Sequence, residues 1–516
     1  MGLLPFPFFV SIRLQPRWTP SRNAYLEPGA SWAVGACIPL EGRSPRRLLE
    51  RLAPMKRPFL LESARTAEGA EARSFLGGDP VLTLRVYQGG AVLERENGTA
   101  RLSPDSPLRT LRTLLSEWHT PRPEGFPPFF GGACGVFSYD FARQLERLPT
   151  IAGDDLGLPE MDLGFYELVV TVDHRADEMW VTWVPQPEMR REYSREMLYS
   201  LGRGRIGAAL GCLDEPLPES FHDAPAGQVG EITPGVTRQH FFRMVESARE
   251  YIARGDIFQA NLSQRFSAPV DNVDPWRLYS ELARINPSPF ACYLDMDAYQ
   301  VVSSSPERLV AVQGDRVSGR PIAGTRPRGT DADGDRGNRQ DLFASPKERA
   351  EHVMLVDLMR NDLGRVCDYG SVRVDQFMTA EYYSHVMHIV SNVEGTLGPG
   401  QDLVKVLRAV FPGGTITGAP KVRCMEIIEE LEPVRRGMYT GSAGYLSAGG
   451  DMDLNILIRT ILMQDGMAHF QTGAGIVADS DPQAEYDETL YKAQAMRSAL
   501  QAMDTRKQAM TAGGGR

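Results

Sequence analysis

The stretch FPGGTITGAPK covers residues 411–421 and leads into the helix-like segment CMEIIEELEP at 424–433. Its three glycines let backbone N–H groups come close to a ligand, and the following helix offers unpaired N–H donors at the positive end of its dipole. We expect Pro420 in the first helical turn and Pro433 just beyond the helix end. The stretch therefore predicts an anion-binding turn, although a Gly-rich turn before a surface helix fits the motif equally well.

A nucleotide-binding P-loop is a weaker interpretation of the same stretch. Gly413 and Gly418 have the spacing of that motif. However, Ala419 occupies the position where a lysine is needed to reach the phosphates, and no serine or threonine follows it to bind magnesium. The P-loop is therefore the less favoured interpretation.

The composition is that of an ordinary soluble globular protein. With 516 residues, of which 42% are hydrophobic and 24% charged, the chain is long enough for one large or two medium domains. A net charge of −10 argues against nucleic acid and anionic membrane as partners. The six cysteines form no C-x-x-C pair and no metal-ligand spacing with the eight histidines, which favours a reducing, cytoplasmic location. The apolar opening MGLLPFPFFVSI is too short for a membrane-spanning helix and lacks the basic start of a signal peptide.

Periodicity and Pro/Gly content predict five regions along the chain. They are a flexible N-terminal segment (1–24), a region of mixed sheet with a few helices (25–213), a linker rich in Pro, Gly and acidic residues (214–235), a C-terminal region (236–505) and a flexible tail (506–516). The first of the two large regions carries few convergent polar groups.

The segment FQANLSQRF (258–266) alternates apolar and polar residues, which predicts a strand. Its polar face carries Gln259, Asn261, Ser263 and Arg265. Taken alone, a fully polar face predicts a solvent-exposed edge strand. Further on, two strand-like pieces, one around Glu307 and one around the turn at Thr325, predict an antiparallel pair.

Two predicted helices each carry a pair of glutamates on one face. The pairs are Glu348 with Glu351 in a helix that begins near Ser345, and Glu485 with Glu488 in a helix that begins at Asp481 and Pro482. Taken singly, each pair fits a solvated helix surface, and Glu348 could simply close a capping box with Ser345. If the helices face each other, the four carboxylates cannot all stay ionised without a cation between them. Oxygen-only ligands select Mg²⁺ held with waters and a ligand oxygen, which predicts a magnesium site for an anionic substrate.

Four features between these helices could complete a site. They are the ring of His388, the hydroxyl of Tyr439, the guanidinium of Arg459 and the backbone donors of a turn at Gly473–Gly475. Taken alone, His388 lies on an apolar strand pattern and is better explained as a core histidine.

Together these motifs resemble the chorismate-utilising enzymes. The similar segments are PIAGTRPRG (321–329), KERAEHVMLVDLMRNDLGRV (347–366), YSHVMHIVSNV (383–393), FPGGTITGAPKVRCMEIIEELEP (411–433), NILIRT (455–460) and GAGIVADSDPQAEYDET (473–489), with FLLESA (59–64), SFLGGDP (74–80) and GGACGVFSYD (131–140) in the first half. The resemblance implies an α+β fold like that of anthranilate synthase component I, with two large antiparallel sheets packed together and helices around them. It also implies an active site in the C-terminal portion.

Within this family the chain resembles component I of aminodeoxychorismate synthase, also called para-aminobenzoate synthase component I. Isochorismate and salicylate synthases have a lysine general base where this chain has Gln259, so activation of water is lost here. Asn261 and the turn FPGGTITGAPK favour aminodeoxychorismate synthase, whereas Ala323 and the FLLES element favour anthranilate synthase component I, the alternative. A non-catalytic chorismate- or tryptophan-binding regulator is disfavoured, because a binding protein needs no acid catalyst.

The resemblance implies a role for each site residue. Magnesium is held by Glu351 and Glu488, with Glu348 and Glu485 assisting through water, and binds the ring carboxylate of chorismate. The implied substrate-binding residues are Thr415, Gly418, Tyr439, Arg459, Gly473, Gly475 and Lys492. The implied catalytic residues are Glu307, which protonates the departing C4 hydroxyl, His388, which orients the leaving region, and Gln259 and Thr325.

Two further expectations follow from the resemblance. Leu61, Glu62 and Ser63, in FLLES, match the element that binds tryptophan as a feedback inhibitor in anthranilate synthases, although a plain buried strand explains them equally well. No cysteine lies in the strand-turn-helix elbow of a glutaminase, since Cys424 falls inside a predicted helix. Ammonia is therefore expected from a separate glutamine amidotransferase subunit, and the product is 4-amino-4-deoxychorismate for 4-aminobenzoate and folate synthesis.

Overall fold

The computed structural model describes residues 16–52, 55–63, 72–95, 98–102, 107–214, 227–329, 331–382 and 386–504. The predicted tail, residues 215–226 of the predicted linker and the first 15 residues of the predicted N-terminal segment lie outside these ranges. No helix within them is long and apolar enough to cross a membrane.

Seven of the described helices begin after an N-cap residue whose side chain accepts a backbone hydrogen bond. Across the described ranges the helices are α1 (Arg22–Leu26), α2 (Pro45–Leu52), α3 (Pro107–Trp118), α4 (Pro187–Glu192), α5 (Arg195–Asp214), α6 (Arg238–Ala253), α7 (Pro275–Ile285), α8 (Ala332–Ala344), α9 (Pro346–Gly364), α10 (Leu403–Val410), α11 (Lys421–Leu431), α12 (Pro482–Lys492) and α13 (Gln494–Ala502). Ser345 caps α9 by accepting from the N–H of Glu348, and Asp481 caps α12 by accepting from that of Ala484. The predicted starts of both glutamate-bearing helices are confirmed.

Strands make up the rest of the regular structure. In chain order they are β1 (Arg17–Thr19), β2 (Val34–Pro39), β3 (Phe59–Glu62), β4 (Arg73–Gly77), β5 (Leu82–Tyr87), β6 (Gly90–Arg95), β7 (Gly98–Leu102), β8 (Gly132–Phe137), β9 (Met161–Tyr166), β10 (Leu168–Asp173), β11 (Glu178–Trp183), β12 (Gln228–Val229), β13 (Thr233–Pro234), β14 (Gln259–Asp271), β15 (Phe290–Asp295), β16 (Gln300–Ser305), β17 (Arg308–Gln313), β18 (Arg316–Gly319), β19 (Ile322–Pro327), β20 (Arg373–Tyr382), β21 (Val386–Thr396), β22 (Gly418–Ala419), β23 (Ser442–Ser447), β24 (Met452–Asn455), β25 (Thr460–Gln464) and β26 (Met467–Ile476).

The strands form two large antiparallel sheets. The first sheet has the order β1-β2-β11-β10-β4-β3-β15-β16-β25-β26-β14-β12, with β13 and β22 also paired to β14. The second has the order β19-β21-β18-β17-β24-β23-β8-β9-β5-β6-β7, with β20 paired to β21. Strands from both sides of the predicted linker share each sheet, since β3 pairs with β15 and β8 pairs with β23. The division into regions 25–213 and 236–505 stays a prediction.

The alternation of side chains along each strand explains how the sheets pack. Phe59 and Leu60 are neighbours on β3, yet Phe59 joins a core cluster that also contains Tyr445 of the second sheet, whereas Leu60 packs with Leu198 of α5. Likewise, Leu446 faces away from the first sheet into a cluster with helices α3, α9 and α10. The two sheets therefore lie face to face with helices on their outer faces, which confirms the expected α+β architecture.

Two local expectations are wrong. The polar face of β14 is buried rather than exposed, with Gln259 only 5% and Ser263 only 1% accessible. β14 is an interior strand, paired with β26 along one edge and with β12, β13 and β22 along the other, and its polar face contacts Glu351 of α9 and Glu432 at the end of α11. Pro420 lies at the N-cap of α11 rather than in its first turn, because its ψ of 138° is extended.

The strand-like pieces around Glu307 and Thr325 form an antiparallel pair only in part. β17 pairs with β18 as expected, but β16 belongs to the first sheet and β19 pairs with β21. Glu307 therefore lies on the short connection by which the chain crosses from one sheet to the other.

Candidate active site

Polar groups of the C-terminal half meet where β14 lies between β26 and the turn at 411–420. The register with β26 places Asn261 opposite Gly475. On the other side of the strand, Gln259 pairs with Ala419 at the end of the turn. Sheet pairing therefore brings the predicted anion turn, the polar strand and the glycine-rich segment to one place.

Gly473 and Gly475 lie in strand β26, not in the turn that the sequence predicts. A Cβ on Gly475 would stand 2.6 Å from Gln259 Nε2, and one on Gly473 would stand 2.5 Å from Asn261 Oδ1 and 2.8 Å from the hydroxyl of Tyr439. A side chain at either position would displace these groups. The two glycines thus leave room for polar groups of β14 and for Tyr439.

The turn at 411–420 approaches the strand just as closely. Gly418 has φ +129°, and a Cβ on it would lie 2.1 Å from the carbonyl oxygen of Gln259, so only glycine fits. Thr415, in a short 3-10 segment of the turn, has its hydroxyl beside the carboxyl group of Glu307. The turn therefore provides both a tight backbone contact and a hydroxyl at the site.

Glu307 is a buried acid, with 6% of its surface accessible. Burial raises its pKa to about 7, against the opposing effects of the nearby Thr415 hydroxyl and Ile322 N–H and of the positive charges of Lys492 and Arg459. Its position between two sheets explains the burial. Near neutral pH a substantial fraction of this carboxyl group is protonated and can donate a proton.

His388, on β21, is buried and neutral. Burial, followed by the charge of Arg459, lowers its pKa to about 4. Its Nδ1 lies 3.0 Å from the carbonyl oxygen of Gly324 and 3.0 Å from the hydroxyl of Thr325. Since a carbonyl oxygen only accepts, Nδ1 carries the proton and Nε2 is left as the acceptor nitrogen. The structure therefore brings His388 and Thr325 together, as the sequence predicts.

The first glutamate pair lies at the start of α9. Gln259 Nε2 donates to Glu351 Oε1 at 3.1 Å. Burial raises the pKa of Glu351, and the nearby Glu348 raises it further. Glu348 also accepts from Arg326 Nη1 at 3.4 Å, so it is partly neutralised.

The second pair lies on α12. Glu485 is buried and accepts from the hydroxyl of Ser480 at 2.7 Å, and burial together with Glu488 raises its pKa. Glu488 is about half exposed and forms an ion pair of 2.7 Å with Lys492. Lys492 Nζ also donates to the carbonyl oxygen of Gly473 at 3.0 Å, which ties the helix end to β26.

The two pairs face a common pair of cations. Lys347 and Lys492 each lower the pKa of both Glu351 and Glu485, so the same two ammonium groups act electrostatically on a carboxylate of α9 and a carboxylate of α12. Among the described residues no three histidine, cysteine or acidic side chains are close enough to hold a metal ion by themselves. The donor set still fits magnesium, which binds through one or two carboxylates, several waters and a substrate oxygen.

Arg459 is the third cation of the site. Its Nη1 donates to Asn286 Oδ1 at 3.2 Å, and its charge acts on both Glu307 and His388. The backbone of Arg459 has a φ of +51°, an uncommon conformation for a residue with a side chain. Strained backbone of this kind clusters at functional sites.

Leu61, Glu62 and Ser63 lie apart from these residues. They line a separate pocket between the sheets, together with Arg73, Phe75, Pro289, Phe290, Ala291, Cys292, Arg308, Ala443, Gly444, Tyr445, Asp453 and Asn455. Glu62 accepts from Arg46 Nε at 2.9 Å and from the hydroxyl of Tyr279 at 2.6 Å, so its carboxylate is already paired within the protein.

Sequence reasoning missed three residues that the structure places at the site: Lys347, Asn286 and Arg436. Lys347 could have been identified from the sequence, because it directly precedes Glu348 in the predicted helix. Asn286 and Arg436 lie in segments without a recognisable pattern, and only the fold reveals their contacts.

The fold and the site define an α+β protein in which two glutamate pairs and the cations Lys347, Lys492 and Arg459 accompany a buried acid. The chain matches the family described as chorismate binding enzyme over residues 59–498. It is 42% identical to aminodeoxychorismate synthase component 1 of Bacillus subtilis (strain 168) over 471 residues, 91% of this chain and 97% of that protein. It is 40% identical to anthranilate synthase component 1 of Cereibacter sphaeroides over 478 residues, 92% and 95% of the two chains.

The solved structures agree with this match. The crystal structure of anthranilate synthase component I from Streptococcus pneumoniae TIGR4 is similar with a TM-score of 0.72 at 37% identity, covering 84% of this chain and 93% of that one. The chain therefore belongs to the chorismate binding enzyme family.

Proposed function

We propose that this protein is component I of an aminodeoxychorismate synthase, which converts chorismate and ammonia to 4-amino-4-deoxychorismate for 4-aminobenzoate and folate synthesis. The observation that carries this choice is the position of Asn261, whose Oδ1 borders the space above Gly473 next to the hydroxyl of Tyr439. A polar amide there can hydrogen-bond a ring substituent and fix which carbon reacts. Identities of 42% and 40% to the two kinds of relative do not separate them.

The acid of this reaction is Glu307. In the overall substitution the C4–O bond breaks, Glu307 gives its proton to the departing hydroxyl, and ammonia supplies the new C–N bond, with water as the second product. A carboxyl group with a pKa of about 7 suits this step, because it is protonated often enough to act and acidic enough to release its proton. Ala323, on β19, offers no nucleophile, so no covalent enzyme adduct forms at this position and ammonia is the only nucleophile of the proposed step.

The remaining residues bind and orient chorismate. Lys492, Arg459 and the hydroxyl of Tyr439 provide donors for its carboxylates, and the turn at 411–420 adds Thr415 and backbone N–H groups. His388, held neutral, contacts the leaving region without competing for the proton of Glu307.

Magnesium is part of the proposal. Glu351 and Glu488 would hold the ion, with Glu348 and Glu485 assisting through water, and the ion would neutralise the ring carboxylate of chorismate. Burial, and then the neighbouring Glu348 and Glu488, raise the pKa values of Glu351 and Glu485, which supports this assignment because a bound cation would stabilise their ionised forms.

A separate glutaminase subunit would supply the ammonia. Among the described residues the cysteines lie in strands, in helices or just beyond a helix, and burial raises the pKa of Cys424 to about 12, which leaves its thiol unreactive. We place the complex in the cytoplasm, where free thiols are stable.

Anthranilate synthase component I is the second candidate. The observation that favours it is the separate pocket that contains Leu61, Glu62 and Ser63, the segment expected to bind tryptophan. Inhibition of chorismate consumption by micromolar tryptophan, lost in Ser63→Leu, would favour this candidate.

Identification of the product decides between the two. The chain is incubated with chorismate, magnesium and ammonium, and a lyase that cleaves aminodeoxychorismate is then added. We expect 4-aminobenzoate and pyruvate only after the lyase is present, because the enolpyruvyl group is retained until then. Fluorescent anthranilate with immediate stoichiometric pyruvate would overturn the proposal. Asn261→Leu, of similar volume, should change the ratio of the two products, whereas Asp487→Asn on the exposed surface of α12 should not.

A further inference from the structure

Arg436 is a fully enclosed guanidinium, 3% accessible, just behind the site. Its five N–H donors make five hydrogen bonds. Nε and Nη2 bind the two oxygens of Glu432 at 3.0 and 2.7 Å, and Nη2 also binds the carbonyl oxygen of Asn261 at 2.6 Å. Nη1 binds the carbonyl oxygen of Ile416 at 2.8 Å and the hydroxyl of Thr440 at 3.3 Å. Each donor therefore has a fixed partner.

The partner carboxylate extends the network to Ser263, two residues after Asn261 on the same face of β14. Glu432 Oε1 accepts from the backbone N–H of Ser263 at 2.9 Å and from its hydroxyl at 2.8 Å. Gln471, on β26, donates to the same hydroxyl at 2.8 Å. Glu432 is as enclosed as Arg436, at 3% accessibility. The ion pair of Arg436 and Glu432 therefore provides buried hydrogen-bond partners for Asn261 and Ser263 of β14.

These bonds end on three elements that carry substrate-facing groups. Ile416 follows Thr415, whose hydroxyl lies beside Glu307. Asn261 carries the amide above Gly473. The Arg436 guanidinium also lies over the ring of Tyr439, with 5.6 Å between Cζ and the ring centroid. One side chain thus joins the anion turn, the polar strand and the tyrosine.

We infer that Arg436, paired with Glu432, is a positioning residue for chorismate: it fixes the relative placement of Thr415, Asn261 and Tyr439 without touching the substrate. The inference rests on the proposed function of this site. A lysine could not replace it, because an ammonium group has three donors on a flexible stem, whereas the planar guanidinium directs five donors in fixed directions.

The chain offers a matched control. Arg57 pairs with Asp162 at 2.6 Å, and both side chains are at most 2% exposed. This pair lies away from the site, near Tyr166 and Tyr299. Replacement of Arg57 or Arg436 by methionine therefore removes an equally buried cation, and each change is expected to lower thermal stability.

The test compares Arg436→Met, Arg436→Lys, Arg57→Met and Arg57→Lys in steady-state chorismate consumption, at a temperature where circular dichroism shows each variant folded. We expect the KM for chorismate to rise at least tenfold in Arg436→Met and to rise less in Arg436→Lys, with a smaller change in kcat. We expect both Arg57 variants to keep KM within twofold of the wild type.

Other outcomes decide against the inference. A wild-type KM in either folded Arg436 variant, or an equal rise of KM in the Arg57 variants, would overturn it. If Arg436→Met does not fold, the KM values of Arg436→Lys and Thr440→Val test the inference instead. Thr440→Val removes one of the five hydrogen bonds of Arg436 and should raise the KM for chorismate by a smaller factor than the tenfold expected for Arg436→Met. Because chorismate loss counts whichever product forms, anthranilate formation would overturn the proposed function and leave this inference standing.

Discussion

Lys492 Nζ lies 2.7 Å from Glu488 Oε1 and 3.0 Å from the carbonyl oxygen of Gly473, so the helix that supplies a carboxylate also supplies its counter-ion. The same ammonium group acts on Glu351 of α9 and on Glu307. Lys492 is thus the electrostatic link between the buried acid and the two glutamate pairs. Any cation that binds between the helices must compete with it or displace it.

Metal dependence is the first prediction. Glu351→Gln and Glu488→Gln should each lower kcat/KM on the order of 100-fold with the fold unchanged, because a magnesium site with few protein ligands cannot lose an anionic one. Steady-state assays over a magnesium titration measure this. Asp487→Asn, a neighbouring change on the exposed surface of α12, serves as the control and should keep wild-type rates. Near-normal turnover of either glutamine variant at saturating magnesium would disprove the site.

The second prediction concerns the titration of Glu307. Its pKa is raised from 4.5 to about 7, so the folded protein binds its proton more tightly than the unfolded chain does. Stability should therefore fall by about 3 kcal/mol as pH rises from 4.5 through 7, because each pKa unit corresponds to about 1.4 kcal/mol. In Glu307→Gln this loss should disappear, as should nearly all activity. Urea unfolding at several pH values measures the difference, and parallel stability curves for the variant and the wild type would contradict the assignment.

His388 gives a pH effect of the opposite sign. Its pKa is lowered from 6.5 to about 4, so below pH 6.5 the unfolded chain takes up a proton that the folded protein excludes. Stability should fall as pH drops from 6.5 to 4, by up to about 3 kcal/mol. His388→Gln should remove this component, and His119→Gln, at an exposed position, should not. An NMR titration that finds the His388 ring protonated at pH 6 would refute the prediction.

Nitrogen supply is the fourth prediction. The purified chain should consume chorismate with ammonium salts and should do so faster at alkaline pH, where more free ammonia is present. Glutamine should support turnover only when a separate glutaminase subunit is added. Measurement of glutamate release together with chorismate loss tests both statements. Glutamine-dependent turnover by this chain alone would contradict them.

Much of the local structure was predictable from sequence. Ser345 and Asp481 cap α9 and α12 as expected, because an N-cap depends only on residues within one helical turn. The alternation of apolar and polar residues in FQANLSQRF predicted β14, since a strand places alternate side chains on opposite faces. The spacing of Glu348 and Glu351 likewise placed both on one helix face.

Tertiary structure decided everything that depends on which elements face each other. Gly473 and Gly475 lie in a strand because β14 pairs with β26 over most of its length, and the polar face of β14 is covered because Glu351 and Glu432 contact it. The pKa of Glu307 follows from its position between two sheets. The five bonds of Arg436 join segments that lie up to 175 residues apart in the chain.

The physical reason is the range of the interactions. Caps, periodicity and glutamate spacing act over a few neighbouring residues, so the sequence of a segment is enough to determine them. Burial, charge proximity and pairing register depend on contacts between distant segments, such as that of Gln259 with Glu351, and these form only when both sheets are complete. The sequence therefore determined the helices and the chemical types of the site residues, and the fold alone determined their arrangement.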